Sequence, residues 1–122
     1  MTAFFAFRGR SLNDYQYRQL DLARSRSEAI WRAGANFLIA RRVPADVPLI
    51  LYVGAAPDLF RFIDESRCWE TAHWKFDADI LFAHPNGSEE AREAEREDLI
   101  AAYAPPMNDD NWQSIIARAL KM

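Results

Sequence analysis

"PLILYVGAAPDLFRF" (Pro48–Phe62) and "AEREDLIAAYAPPMN" (Ala94–Asn108) are the two stretches whose reading decides the fold. In the first, Leu49–Val53 is a short apolar run bounded by Pro48 and Gly54, which reads as a buried strand. Pro57 and Asp58 follow where a helix can begin, because proline is tolerated in a first turn. Leu59, Phe60 and Ile63 give that helix an apolar side. Ahead of the second stretch Ser88 is a good N-cap, and Glu89 and Glu90 complement the positive end of a helix, so the pattern predicts helix over Glu89–Tyr103. Ala91, Ala94, Leu99 and Ala102 form its expected apolar face, and Pro105 and Pro106 stop it.

Working outward, "ANFLIA" (Ala35–Ala40) reads as a strand that makes a hairpin with Leu49–Val53, the latter expected to be central in the sheet. Pro44 and Pro48 keep the connection out of the strand interiors. "ADILFAH" (Ala78–His84) reads as a third strand followed by a turn at Pro85-Asn86-Gly87, and "TAFFAF" (Thr2–Phe7) as a short edge strand. From Asn13 to Ala33, Tyr17, Leu20, Leu22, Ile30 and Trp31 recur among arginines and predict helix. A break near Ser25–Ser27 is expected because Ser25 and Glu28 form a capping box, and Gly34 ends the segment. Asp109 or Asp110 can cap a last helix with an apolar stripe at Trp112, Ile115, Ile116, Ala119 and Leu120. The expected architecture is α/β, a small mixed or antiparallel sheet of three to four strands flanked by helices. One domain covers 1–122, with an N-terminal strand and helical extension at 1–33, a core at 34–108 and a C-terminal helix at 109–122.

Three short motifs stand in order along that core: Tyr52-Val53-Gly54, Leu99-Ile100 and Pro105-Pro106-Met107-Asn108. In this order and spacing the chain resembles the GIY-YIG nuclease superfamily over about three fifths of its length, from Gly34 to Asn108. The resemblance implies a hairpin that carries both motifs, a helix with an arginine, and a later helix with a metal-binding glutamate. It also implies hydrolysis of a phosphodiester with one divalent metal, magnesium, aided by a tyrosine, while the arginine stabilises charge on the phosphate.

Position by position, Gly34 matches the first motif's glycine, but Ala35 and Asn36 follow it where an aliphatic residue and a tyrosine are usual. Tyr52 keeps the second motif's tyrosine, and Gly54 supports close backbone approach at the strand end. The arginine position, ten residues after Tyr52, is Phe62, with Arg61 adjacent. The glutamate position, three residues before Leu99 and twelve before Asn108, is Arg96, flanked by Glu95 and Glu97. An active site here would therefore use Tyr52, Arg61 and Glu95 as its catalytic group, with Glu95 or Glu97 on magnesium and Gly34, Asn36 and Gly54 lining the substrate side.

Charge is unevenly spread. Residues 1–42 hold eight arginines against Asp14, Asp21 and Glu28, a net of +5, and residues 43–122 carry −8, for a chain net of −3. Arginine favours bidentate contact with phosphate, so one reading is a phosphate-binding face that includes Arg24 and Arg26. The other is internal pairing of this segment with the acidic C-terminal helices. His73 and His84 are candidate general bases or solvent-facing histidines. Asp77 and Asp79 lack matching ligands. Trp69, His73, Trp74 and Phe76 either stack on unpaired bases or belong to core and rim.

Cys68 alone excludes an intramolecular disulfide and suits a cytoplasmic location. No apolar run reaches a membrane span, and the N-terminus does not read as a signal peptide. No Walker loop, dinucleotide fingerprint, zinc spacing or Ser/His/Asp set is visible. The expected protein keeps the nuclease scaffold with weak or lost phosphodiesterase activity and a role in binding DNA, RNA or another macromolecule. The alternatives are an active divergent magnesium-dependent DNA endonuclease, and a protein-interaction or self-association module that pairs with a protein partner or forms a homodimer.

Overall fold

Alternation at Phe5 and Phe7, matched by Tyr15 and Tyr17, sets up the first element pair of the chain. The computed structural model, which describes residues 4–42 and 48–108, opens with a hairpin of β1 (Phe4–Arg8) and β2 (Asp14–Leu20). Phe5 lies opposite Tyr17 and Phe7 opposite Tyr15, and the Phe7 and Tyr17 rings meet edge to face at 5.6 Å. Helix was expected across Asn13–Ala33, and the first part of it is strand. Tyr17 and Leu20 fit either period, and cross-strand aromatic packing decides for the strand. The rest of that segment holds one turn of helix, α1 (Leu22–Ser25), and a 3-10 turn (Ala29–Arg32). Asp21 caps α1, accepting from the amides of Ala23 and Arg24. The expected capping box fails because Glu28, not Ser25, stands at the N-cap of the 3-10 turn.

β3 (Ala35–Arg41) and β4 (Leu49–Ala56) form the expected antiparallel hairpin, with a bulge at Ile39/Ala40. α2 (Leu59–Ser66) starts at an Asp58 cap, and Leu59, Phe60 and Ile63 are buried as its spacing predicts. α3 (Cys68–Phe76) is a second helix, where the sequence shows only crowded aromatic residues. β5 (Ile80–Pro85) returns to pair with both β2 and β3, and α4 (Glu89–Tyr103) follows, capped by the Ser88 hydroxyl. The sheet is antiparallel, in the order β1-β2-β5-β3-β4. It has five strands where three to four were expected, because β2 joins it. β4 is an edge strand rather than the central one expected. The expected C-terminal helix at 109–122 lies outside the described residues.

Side chains alternate across this sheet into two apolar layers. Ala35, Phe37, Ile39, Tyr52 and Leu81 pack with Leu59, Phe60 and Ile63 of α2, Cys68 and Ala72 of α3, and Trp31. Phe7, Tyr17, Leu38, Val53 and Phe82 pack on the other side with Leu99 of α4. Gly54 is needed at its position because a β-carbon there would overlap the Phe37 ring. Both outer strands are tied by side chains. The Tyr103 hydroxyl accepts the Arg8 amide at 3.2 Å on β1. On β4 the Asn108 side chain accepts the Val53 amide at 2.7 Å and donates to the Val53 carbonyl at 2.9 Å. Such ties reduce the exposed backbone that invites strand addition. Among the described residues no helix is long and apolar enough to cross a membrane.

Candidate functional site

α4 was expected to press an alanine-rich face on the sheet. Ala91, Ala94 and Ala102 are exposed instead, and the buried positions are Arg92, Glu95 and Leu99. The i, i+3, i+7 spacing still makes one face, but two of its three residues are charged, and the sheet beneath is polar to match. Asn36 on β3 lies opposite His84 on β5. The Tyr17 ring of β2 packs against His84 at 4.9 Å, nearly perpendicular. The polar row is thus Tyr17, His84 and Asn36, running across three strands beneath the first half of α4.

Every member of this row is bonded. The buried Tyr17 hydroxyl and His84 Nε2 both meet Glu95 Oε2, the histidine at 2.6 Å. Asn36 Nδ2 donates to the Arg92 carbonyl at 2.9 Å, and Asn86 Nδ2 donates to Asn36 Oδ1 at 3.0 Å. Arg92 Nη1 donates to the Asn86 carbonyl at 3.0 Å. Gly34, at φ 103°, is required twice over: that angle disfavours side chains, and a β-carbon would meet Arg92 Nη1 and the Asn86 carbonyl. Burial, reinforced by the Glu95 charge, drives the Tyr17 phenol far above its ordinary pKa, so it stays a donor.

A second neighbourhood surrounds Tyr52. Its ring lies 5.7 Å from Phe37, which lies 5.8 Å from Phe62. Burial, with the Cys68 thiol adding to it, pushes the Tyr52 phenol up to about 12, against the opposing pull of the Arg96 charge. Of the two positions that the resemblance gives to arginine and glutamate, Phe62 meets Tyr52 through the Phe37 ring and Arg96 acts on it through its charge. Neither offers the matching chemistry. Phe62 packs on the apolar core, and Arg96 pairs with Glu93 at 3.0 Å.

The remaining sequence candidates are dispersed. Arg61 is exposed on α2 and pairs with Glu65 at 3.0 Å. Glu97 is exposed on α4. Arg26 holds Asp64 with two bonds of 2.8 and 2.9 Å and lies over the Phe60 ring, while Arg24 is exposed on α1. The proposed internal pairing of the basic segment is partial. Arg8, Arg18, Arg26 and Arg41 face Asp14, Glu28, Asp64 and Asp77, all surface pairs of small individual worth. None of these partners is on α4. Trp74 is 80% exposed on α3, and Trp69 is stacked on His73 at 6.3 Å.

Glu95 already takes two protein groups on one oxygen, and among the described residues no group of three or more His, Cys, Asp or Glu side chains is placed to hold a metal ion. The sequence pointed to Glu95, Asn36, Gly34 and His84 but left out Tyr17, Arg92 and Asn86. The available signal was a polar asparagine inside the apolar run "ANFLIA", facing a helix whose Arg92 and Glu95 are three residues apart. The chain matches no protein-family model, no curated protein and no solved structure.

Proposed function

We propose that this chain is a GIY-YIG-like domain that has lost metal-dependent phosphodiester cleavage and binds nucleic acid. The observation that carries the proposal is the neighbourhood of Tyr52, where Phe62 and Arg96 occupy the positions that resemble the family's arginine and glutamate. The element order supports it: hairpin, helices, a strand returning beside the first hairpin strand, then a helix leading to the Asn108 turn. Glu95 does not restore the metal site, because it is bonded to Tyr17 and His84. Binding draws on the exposed Arg10, Arg24, Arg32 and Arg42, which form no ion pair among the described residues.

Plasmid DNA should remain intact with magnesium or manganese, since loss of one such electrostatic group typically costs about 100-fold or more. Affinity for DNA and RNA should fall steeply with salt, and Arg24→Ala with Arg32→Ala should flatten that slope. Metal-dependent cleavage, or binding indifferent to salt, would refute the proposal. The exposed Trp74 favours a second reading as a protein-interaction module. In that case Trp74→Ala, and not the arginine pair, would abolish complex formation.

A further inference from the structure

The geometry points to His84 as a general base for metal-free cleavage of RNA, with Glu95 as its positioning residue. The inference rests on the nucleic-acid reading above and adds an activity to it. Glu95 is only 5% exposed and receives His84 Nε2 at 2.6 Å beside the Tyr17 hydroxyl. A carboxylate accepts, so the neutral imidazole carries its hydrogen on Nε2 and its lone pair on Nδ1. Among the described residues Nδ1 has no hydrogen-bond partner, and the His84 side chain is 23% exposed. Glu95 thus holds the position of this ring, the arrangement by which a carboxylate makes a histidine an effective base.

A positive charge stands nearby. Arg92 is more than nine-tenths buried, yet among the described residues no carboxylate lies within ion-pair distance of it. Nη1 donates to the Asn86 carbonyl, and among the described residues Nη2 and Nε have no hydrogen-bond partner. Asn36, opposite His84, holds the Arg92 backbone through its carbonyl. The result is a seated cation on the same helix face as Glu95, with donors left for a phosphate.

The chemistry selects the substrate. Without a metal to activate water, hydrolysis of DNA is out of reach for one imidazole, whereas RNA brings its own nucleophile in the 2′-hydroxyl. His84 Nδ1 takes the 2′-hydroxyl proton, and the 2′-oxygen forms a bond to the adjacent phosphorus. The bond from phosphorus to the 5′-oxygen breaks, and the departing oxygen takes a proton from water. The resulting hydroxide is neutralised when the imidazolium releases its proton to solvent. The products are a 2′,3′-cyclic phosphate and a free 5′-hydroxyl.

The test uses the full chain in EDTA with a labelled single-stranded oligoribonucleotide and its all-2′-deoxy counterpart. The ribo strand should be cut to fragments ending in cyclic phosphate, and the deoxy strand bound and left intact. His84→Gln, which keeps a donor for Glu95, should lower the cleavage rate by ~10²–10⁴-fold at unchanged RNA affinity. Glu95→Gln should lower kcat at unchanged KM while the variant stays folded. RNA bound but uncut over roughly pH 5–8, or cleavage undiminished in His84→Gln, overturns the inference and leaves the binding proposal standing. Failure to bind either strand refutes the binding proposal itself.

Discussion

Replacing Tyr17 by phenylalanine removes one hydroxyl from the interior and asks whether Glu95 is committed to the fold. Tyr17 has no exposed surface, and its hydroxyl donates to Glu95 Oε2, so the variant leaves a buried carboxylate oxygen with His84 alone. Hydrogen bonds to a charged group contribute about 1.5–3 kcal/mol, and the ring itself is unchanged in volume, so the loss should lie in that range. For a domain of this length each kcal/mol corresponds to about 3–6 °C in Tm, between the values for smaller and larger domains. Thermal and urea unfolding should both register it. A double-mutant cycle with Glu95→Gln should give a coupling of about 1 kcal/mol or more, as expected for residues in one network. The same melts with magnesium or manganese should not shift. A Tyr17→Phe effect under about 0.5 kcal/mol, the ordinary range for a surface change, would refute the assignment, and metal-induced stabilisation that Glu95→Gln removes would return this carboxylate to the role of ligand.

Gly54→Ala should destabilise the chain by about 1–3 kcal/mol, the usual cost of overpacking, because its β-carbon overlaps a Phe37 ring held between Tyr52 and Phe62. Phe37→Leu in the same background should recover part of the loss, and a neutral Gly54→Ala would contradict the packing described. Asp98 accepts from the Ser11 hydroxyl at 2.6 Å, the Tyr15 hydroxyl at 2.7 Å and the Ser11 amide at 2.8 Å, and these bonds hold its pKa below the ordinary aspartate value. A depressed folded-state pKa contributes stability above the unfolded value, about 3.9, that is lost as pH falls through the folded one. Acid unfolding of Asp98→Asn should accordingly show a shallower slope below about pH 4, and an unchanged slope would place the acid sensitivity elsewhere.

Elements with one dominant local cause were legible in the sequence. Ser88 with Glu89 and Glu90 located α4 at its observed bounds, and Asp58 located the start of α2. The β3–β4 hairpin followed from two apolar runs and their flanking prolines. β2 was not legible, because "DYQYRQL" satisfies a helical and an alternating period at once, and the aromatic partners that choose between them come from β1. The edge position of β4 was equally hidden. Its residues are nearly all buried, as a central strand's would be, but the cover on its open side comes from Asn108, more than fifty residues away.

The inward face of α4 marks where local reasoning had to fail. Alanine is the best helix former and a common core residue, so Ala91, Ala94 and Ala102 were the natural choice for the buried side. Their burial would have left Arg92 and Glu95 in water, which is the cheaper state for an isolated charge. The opposite arrangement persists because the sheet supplies partners in matching places: Tyr17 and His84 for the carboxylate, the Asn86 carbonyl for the guanidinium, and Asn36 for the helix backbone. A helix seated on apolar residues alone could rotate or slide at modest cost, whereas here a small rotation would strand a carboxylate and disturb four side-chain bonds together. This arrangement fixes the register of α4 on the sheet. It also leaves the His84 side chain partly exposed where it meets Glu95.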